Sequence, residues 1–427
     1  MKTIIKNVAV FDGESPQIQE AQNLVITDNL VTDIFSGDFS EENFDQIIDG
    51  QGQYAIPGLA DAHVHLGKVH TDDSNPRYDA IIGSVVAQKL LDHGITSVRD
   101  AGSMTDGLKR AIDEGTIWGP RIYPSMCYLS QTCGHGDSDQ AHQNRDIQYR
   151  APAGVALCDG IAECRRAARE QFYLWASQIK IMAGGGMSSM CDPVETLQFS
   201  EEEMRAIVET ASDYGSYVMA HLYTSKCMQR AIRAGVRSLE HGHWLDEETA
   251  KMIRDTDTFL NPCPQFTPLE AKWNHMGKYA DQAYPKRRKR KPGGDLVKSH
   301  MPETTELINK YDLKILFGTD LMITYNEYEP RENLDFMEYK KRFGSYKGLL
   351  AATGRFHELT KLTTYQNPYP DGDTGVLHIN SYADIVILNG NPVEDLDVLG
   401  DTENILLVMK DGKLYRNRLG KDKNTNG

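Results

Sequence analysis

Two histidines two places apart, His63 and His65 in GLADAHVHLG, have the spacing with which a strand offers two imidazoles to one metal ion. On a strand, positions i and i+2 face the same side, so both rings point at one spot while Val64 points away. With 13 histidines in 427 residues such a pair also arises by chance, and His241 and His243 make a second one. The pair gains meaning from its company. Lys180 in QIKIM, His221 in HLYT, His241 in EHGH and Asp320 in GTD each stand near the end of a short apolar run. Singly, such a histidine is an ordinary hydrogen-bonded core residue, and GTD is a turn cap. Together, four imidazoles, one amine and one carboxylate at the ends of such runs are far less expected.

Lys180 is the informative one. A strand reading Gln178-Ile179-Lys180-Ile181-Met182 is apolar around its lysine, and an ammonium buried there is costly unless neutralised or paired. Three solutions exist: an ion pair with a carboxylate, a neutral amine acting as base or Schiff-base former, or a carbamate made with CO₂. The carbamate is anionic and carries two oxygens, so it can bridge two metal ions. With histidines around it, it is the most economical solution.

These side chains need a scaffold. Eight candidate strands follow one another: GLADAHVHL, then residues 97–101, 122–126, 178–183, 217–222, 238–242, 259–263 and 315–320. Helical patterns separate several of them. DAIIGSVVAQKLLDHG closes on Gly94, and SEEEMRAIVETASDYG opens on a Ser-x-x-Glu capping box and closes on Gly215. Strands alternating with helices predict an α/β fold, a (β/α)8 TIM-like barrel over residues 57–368, with chemistry at the C-terminal strand ends. Residues 1–56 and 369–420 read instead as short strands and turns, and the two ends are expected to build one small β-sandwich domain.

Bulk properties exclude other classes. A net charge of −15 disfavours nucleic acid or an anionic membrane as partner. The exception, the basic run Lys286 to Lys291, reads as a solvated loop. Seven cysteines with no Cys-x-x-Cys suggest neither a disulfide framework nor a zinc ribbon. No apolar stretch is long enough to span a membrane. A cytoplasmic protein is expected.

The ordered set Pro57-Gly58-Leu59 into His63-x-His65, Lys180, His221, His241 and Asp320, with the ending ADIVILNGNP, resembles the metal-dependent amidohydrolase superfamily, in its binuclear branch with a carboxylated lysine. The resemblance implies two divalent metal ions, of which zinc suits the ligands best. One ion would be held by His63, His65 and Asp320, the other by His221 and His241, with carboxylated Lys180 bridging both. Gly134-His135-Gly136-Asp137, His221-Leu222-Tyr223-Thr224 and GGGMSSMCDPVETLQFS further resemble the Xaa-Pro dipeptidase-like subgroup, which includes carboxypeptidases, ochratoxinase-type hydrolases and phenylurea or carbamate hydrolases. There Tyr223 and His135 would approach the substrate, and Asp320 would carry a proton from the attacking hydroxide to the leaving amine.

The implied substrate is a small-molecule amide, a dipeptide or N-acyl amino acid, with phenylureas and carbamates as the alternative. A cyclic-amide hydrolase is less favoured because of HLYTS at 221–225, and a catalytically silent scaffold because all six ligand positions are filled. Deaminases on related barrels place a glutamate three residues after the strand-five histidine, where this chain has Thr224. Relatives of this kind often assemble into multimers, so a homo-oligomer is expected. His243, the 286–291 run, Arg150 and Arg331 receive no role from the sequence.

Overall fold

A computed structural model describes residues 1–70, 76–137, 154–187, 192–263, 293–324 and 332–420. The basic run 286–291, Arg150 and Arg331 lie outside the described residues, as do residues 188–191 of the GGGMSSMCDPVETLQFS stretch.

Parallel strands form two sheets. One runs in the order Leu321–Thr324, Leu59–His70, Ile95–Asp100, Arg121–Tyr123. The other runs Val155–Leu157, Tyr128–Ser130, Ile179–Met182, Val218–Thr224, Ser238–Trp244, Phe259–Asn261. Backbone hydrogen bonds join them. At one seam Ser177 donates to the Pro124 carbonyl (2.7 Å); at the other, Leu316 donates to Leu260 (2.9 Å) and Ala62 to Phe317 (2.8 Å). The result is the α/β barrel expected from the alternation, and most of its strands are covered on both faces. Ile95–Asp100, Ile179–Met182 and Val218–Thr224 are buried at every position, so the polar residues they carry, Arg99, Asp100, Lys180 and His221 among them, are buried too.

Helices pack outside. Glu201–Asp213 carries the expected capping box: Glu203 N–H donates to Ser200 Oγ (3.2 Å) and Ser200 N–H to Glu203 Oε2 (2.7 Å). Its buried face, including Met204, Ile207 and Ala211, joins the main core.

The eighth strand departs from the expected continuous run at 315–320. Only Ile315 forms a bridge, to Leu260, and ladder pairing resumes at Leu321–Thr324 against the first strand. The interruption has a cause. Asp61 accepts from Thr319 through both its N–H (3.2 Å) and Oγ1–H (2.6 Å), so a carboxylate takes the amide that a strand neighbour would have taken. Asp320 then turns with φ 52°.

Both chain ends form one eight-stranded sheet, in the order Lys413–Asn417, Ile405–Lys410, Ile385–Leu388, Tyr54–Pro57, Lys2–Val10, Gln19–Thr27, Leu30–Ser36, with Gln46–Asp49 beside Lys2–Val10. It has a core of its own, including Ile5, Leu24, Ile385 and Leu407. Arg121, buried at the start of a barrel strand, fastens it to the barrel by pairing with Asp384 and Asp411.

Candidate metal centre

The C-terminal strand ends bring the expected side chains together. Asp320 Oδ1 lies 3.4 Å from His63 Nε2 and 3.4 Å from His65 Nε2, and the three form a cluster with metal-ligand spacing. Lys180 Nζ lies 3.3 Å from the same His63 Nε2. The His241 ring follows at 5.2 Å from that of His63, and His221 at 4.7 Å from His241.

Two of these residues bend the backbone to get there. His241 has φ 74° and Asp320 φ 52°, the left-handed region that non-glycine residues occupy at a cost of about 1–3 kcal/mol. The turn at His241 breaks strand alternation: Glu240 and His241 are adjacent, yet both side chains meet His63.

Glu240 is the residue the sequence reading missed. Its Oε2 accepts from His63 Nδ1–H (2.7 Å), which fixes the tautomer and leaves the Nε2 lone pair facing Lys180 and available to a metal ion. Its Oε1 accepts from Arg99 (2.8 Å) and Ser238 Oγ (2.6 Å), while Arg99 Nε donates to the Ala62 carbonyl (2.7 Å). Burial opposes ionisation of Glu240, but Arg99 and His63 outweigh it and hold the carboxyl well below its ordinary range. Arg99 lies in ITSVRD, a strand with polar neighbours, so it lacks the signal that exposed Lys180 among apolar ones. Glu240→Gln should weaken metal binding about 10–100-fold in a metal titration. Arg99, left buried without its carboxylate, should also lower stability by about 3–5 kcal/mol on denaturant unfolding. Unchanged affinity would remove Glu240 as the orienting group.

The donor set fits divalent metal. Burial, then the neighbouring Lys180, lowers the His63 pKa to about 4. Burial is also the largest cause that holds His221 and His241 well below the usual value, so these imidazoles are neutral lone-pair donors at neutral pH. His221 Nε2 and His241 Nδ1 are buried without a hydrogen-bond partner. Orphan acceptors at this depth cost free energy unless something positive sits against them. Lys180 is 1% exposed, burial lowers its pKa, and among the described residues it forms no ion pair with a carboxylate. Asp320 is pulled the other way: against burial, the hydrogen bond from His65 holds its carboxyl below the ordinary range.

Tyr223 and His135 stand beside these donors. The Tyr223 ring stacks on His241 at 5.1 Å, and burial raises its hydroxyl pKa, so it stays a protonated donor. His135 stacks on His221 at 4.4 Å, and its Nδ1 lies 3.2 Å from Asp192 Oδ2. Asp192, also missed in the sequence, accepts as well from Gly186 N–H (3.1 Å) and Gln198 Nε2 (3.0 Å). His243, the extra imidazole of EHGH, turns away to the Pro262 carbonyl, and burial lowers its pKa to about 4.

Comparison with known proteins gives a consistent picture. The amidohydrolase family matches residues 54–415. An ochratoxinase from Aspergillus niger is 28% identical over 97% of this chain and 86% of its own length. A crystal structure of a prolidase complexed with N-methylphosphonate-L-proline superposes with a TM-score of 0.85 at 30% identity, covering 98% of this chain and 100% of that one. A Xaa-Pro dipeptidase structure with bound methionine in the active site superposes with a TM-score of 0.79 at 28% identity, covering 97% and 100%.

Proposed function

The chain belongs to the amidohydrolase family and is a hydrolase of C–N bonds, and from that premise we propose that it cleaves the amide bond of dipeptides or N-acyl amino acids, ochratoxin-like aryl amides included. The observation that carries the reading is the convergence of His63, His65, Lys180, His221, His241 and Asp320 on one end of the barrel, with two buried imidazole nitrogens left unpartnered.

In this reading His63, His65 and Asp320 would hold one divalent ion and His221 and His241 a second, and Lys180, as a carbamate, would supply anionic oxygens to both. Zinc suits the imidazole and carboxylate set; manganese, iron and cobalt are compatible with it. When bound, such ions activate water at neutral pH and act as Lewis acids toward a carbonyl oxygen. The carbamate forms when the neutral Lys180 amine adds to CO₂ and releases a proton. A buried amine with a lowered pKa and no carboxylate partner is suited to that reaction.

The rest falls to the chain's own groups. Asp320, kept ionised, accepts the proton of the attacking water and returns it to the leaving nitrogen, because an amine leaves only when protonated. Tyr223 O–H donates to the oxyanion that develops on the scissile carbonyl. His135, oriented by Asp192, contacts the substrate.

A panel of dipeptides, N-acyl amino acids, an aryl-amide toxin, a phenylurea and a carbamate, assayed with and without a chelator, tests this. Chelator-sensitive cleavage of the peptides or N-acyl amino acids is expected. Cleavage of only the urea or carbamate would overturn the substrate assignment while keeping the metal chemistry.

A further inference from the structure

A second group of metal-ligating side chains lies at the other end of the barrel. His357 is on helix Gly354–Thr360, and Asp373 and His378 are in the loop before strand Ile385–Leu388. Phe356 and Leu359 of the same helix pack with Tyr217, Phe259 and Leu316, residues at the starts of barrel strands. The group is therefore on the N-terminal face, where barrels build stability rather than catalysis.

His378 Nε2 lies 3.5 Å from Asp373 Oδ2, and His357 Nδ1 lies 3.9 Å from Asp373 Oδ1. One ligand atom from each residue falls within 4.8 Å of the other two. Ligands at about 2.0–2.2 Å from a tetrahedral zinc stand roughly 3.3–3.5 Å apart, so small side-chain rotations close the set. Two details orient it. His378 Nδ1 lies 2.9 Å from the Ile379 carbonyl, the backbone contact that presents the opposite nitrogen of a ligating histidine. His357 Nδ1 is buried without a hydrogen-bond partner. Lys361 pairs with Asp373, but it is 57% exposed and its ammonium can leave for solvent.

We propose that His357, Asp373 and His378 bind one zinc ion as a structural clip between the last barrel helices and the loop entering the β sheet, with water as the fourth ligand. Two imidazoles and one carboxylate select a borderline cation of this kind over magnesium or calcium. Burial lowers the His357 pKa, which keeps its lone pair available at neutral pH. The clip is independent of the amide-hydrolase reading, because none of its residues belongs to the upper cluster.

The test uses the full chain, saturated with zinc and dialysed, with His378→Ala as the main variant; His378 is 44% exposed, so its removal spares the fold. Wild type should retain about one zinc per chain more than the variant, measured by elemental analysis, at equal hydrolytic activity. Added zinc should raise the Tm of wild type and not that of the variant. Asp373→Asn should lose the same equivalent, whereas Lys361→Gln should bind zinc more tightly by freeing Asp373. Equal zinc content in wild type and His378→Ala overturns the proposal.

Discussion

Lys180→Ala loses binuclear metal binding and hydrolysis together, and a small carboxylic acid such as acetate or propionate partly restores both. The expectation rests on burial without an anionic partner: Lys180 is 1% exposed, and among the described residues its hydrogen-bond neighbour is His63 Nε2 at 3.3 Å. A free acid fits the space left by the side chain and brings back the two oxygens of the carbamate. The rival roles separate cleanly. If the nitrogen itself were needed, as base or as ammonium, a small amine would rescue and an acid would not. Lys180→Met separates chemistry from packing, because it fills the same volume while offering no nitrogen to CO₂ and leaving no cavity. It should be folded, inactive and not rescued. Metal content and turnover are measured together; full activity in either variant would falsify the bridging role.

How far the sequence reaches depends on the distance over which a signal acts. His63 and His65 are legible because strand alternation is local, and Lys180 because a charge in an apolar run is anomalous wherever the run lies. The barrel is legible for the same reason: strands buried on both faces must be continuous apolar runs. Glu240 is different. Its partner Arg99 lies 141 residues away, and neither strand announces the other. The His135 and Asp192 pair, 57 residues apart, is equally silent. EHGH reads as regular strand, in which Glu240 and His241 face opposite ways; the left-handed turn at His241 that aims both at His63 is set by packing. The broken eighth strand has a similar origin, since the capture of the Thr319 amide by Asp61 is a contact across 258 residues. What local pattern cannot supply is the hydrogen-bond network that holds the visible ligands in place.

Asp320→Asn separates metal binding from proton transfer. The amide keeps an oxygen for His65 and for a metal ion, and His63, His65 and Lys180 remain, so much of the metal should be retained. What disappears is the base. Loss of a positioned general acid–base typically costs about 10²–10⁴-fold in rate, and here kcat should fall by that amount with KM little changed. The pH profile carries a second signature. Against burial, the hydrogen bond from His65 holds the Asp320 carboxyl below its ordinary range. A base with a lowered pKa stays deprotonated as pH falls through the ordinary carboxylate value, about 3.9, so Asp320 contributes no acid limb across the neutral range. Its contribution to stability has the same sign: it is present above the unfolded pKa and lost only as pH falls toward the depressed folded one. Asp320→Asn should therefore lower the whole plateau without moving its acid edge, and metal analysis should find the ions still bound. A near-normal kcat with metal in place would remove Asp320 as the proton carrier and pass that role to another group at the centre. His135, held 3.2 Å from Asp192 and stacked on His221, is the next in geometry.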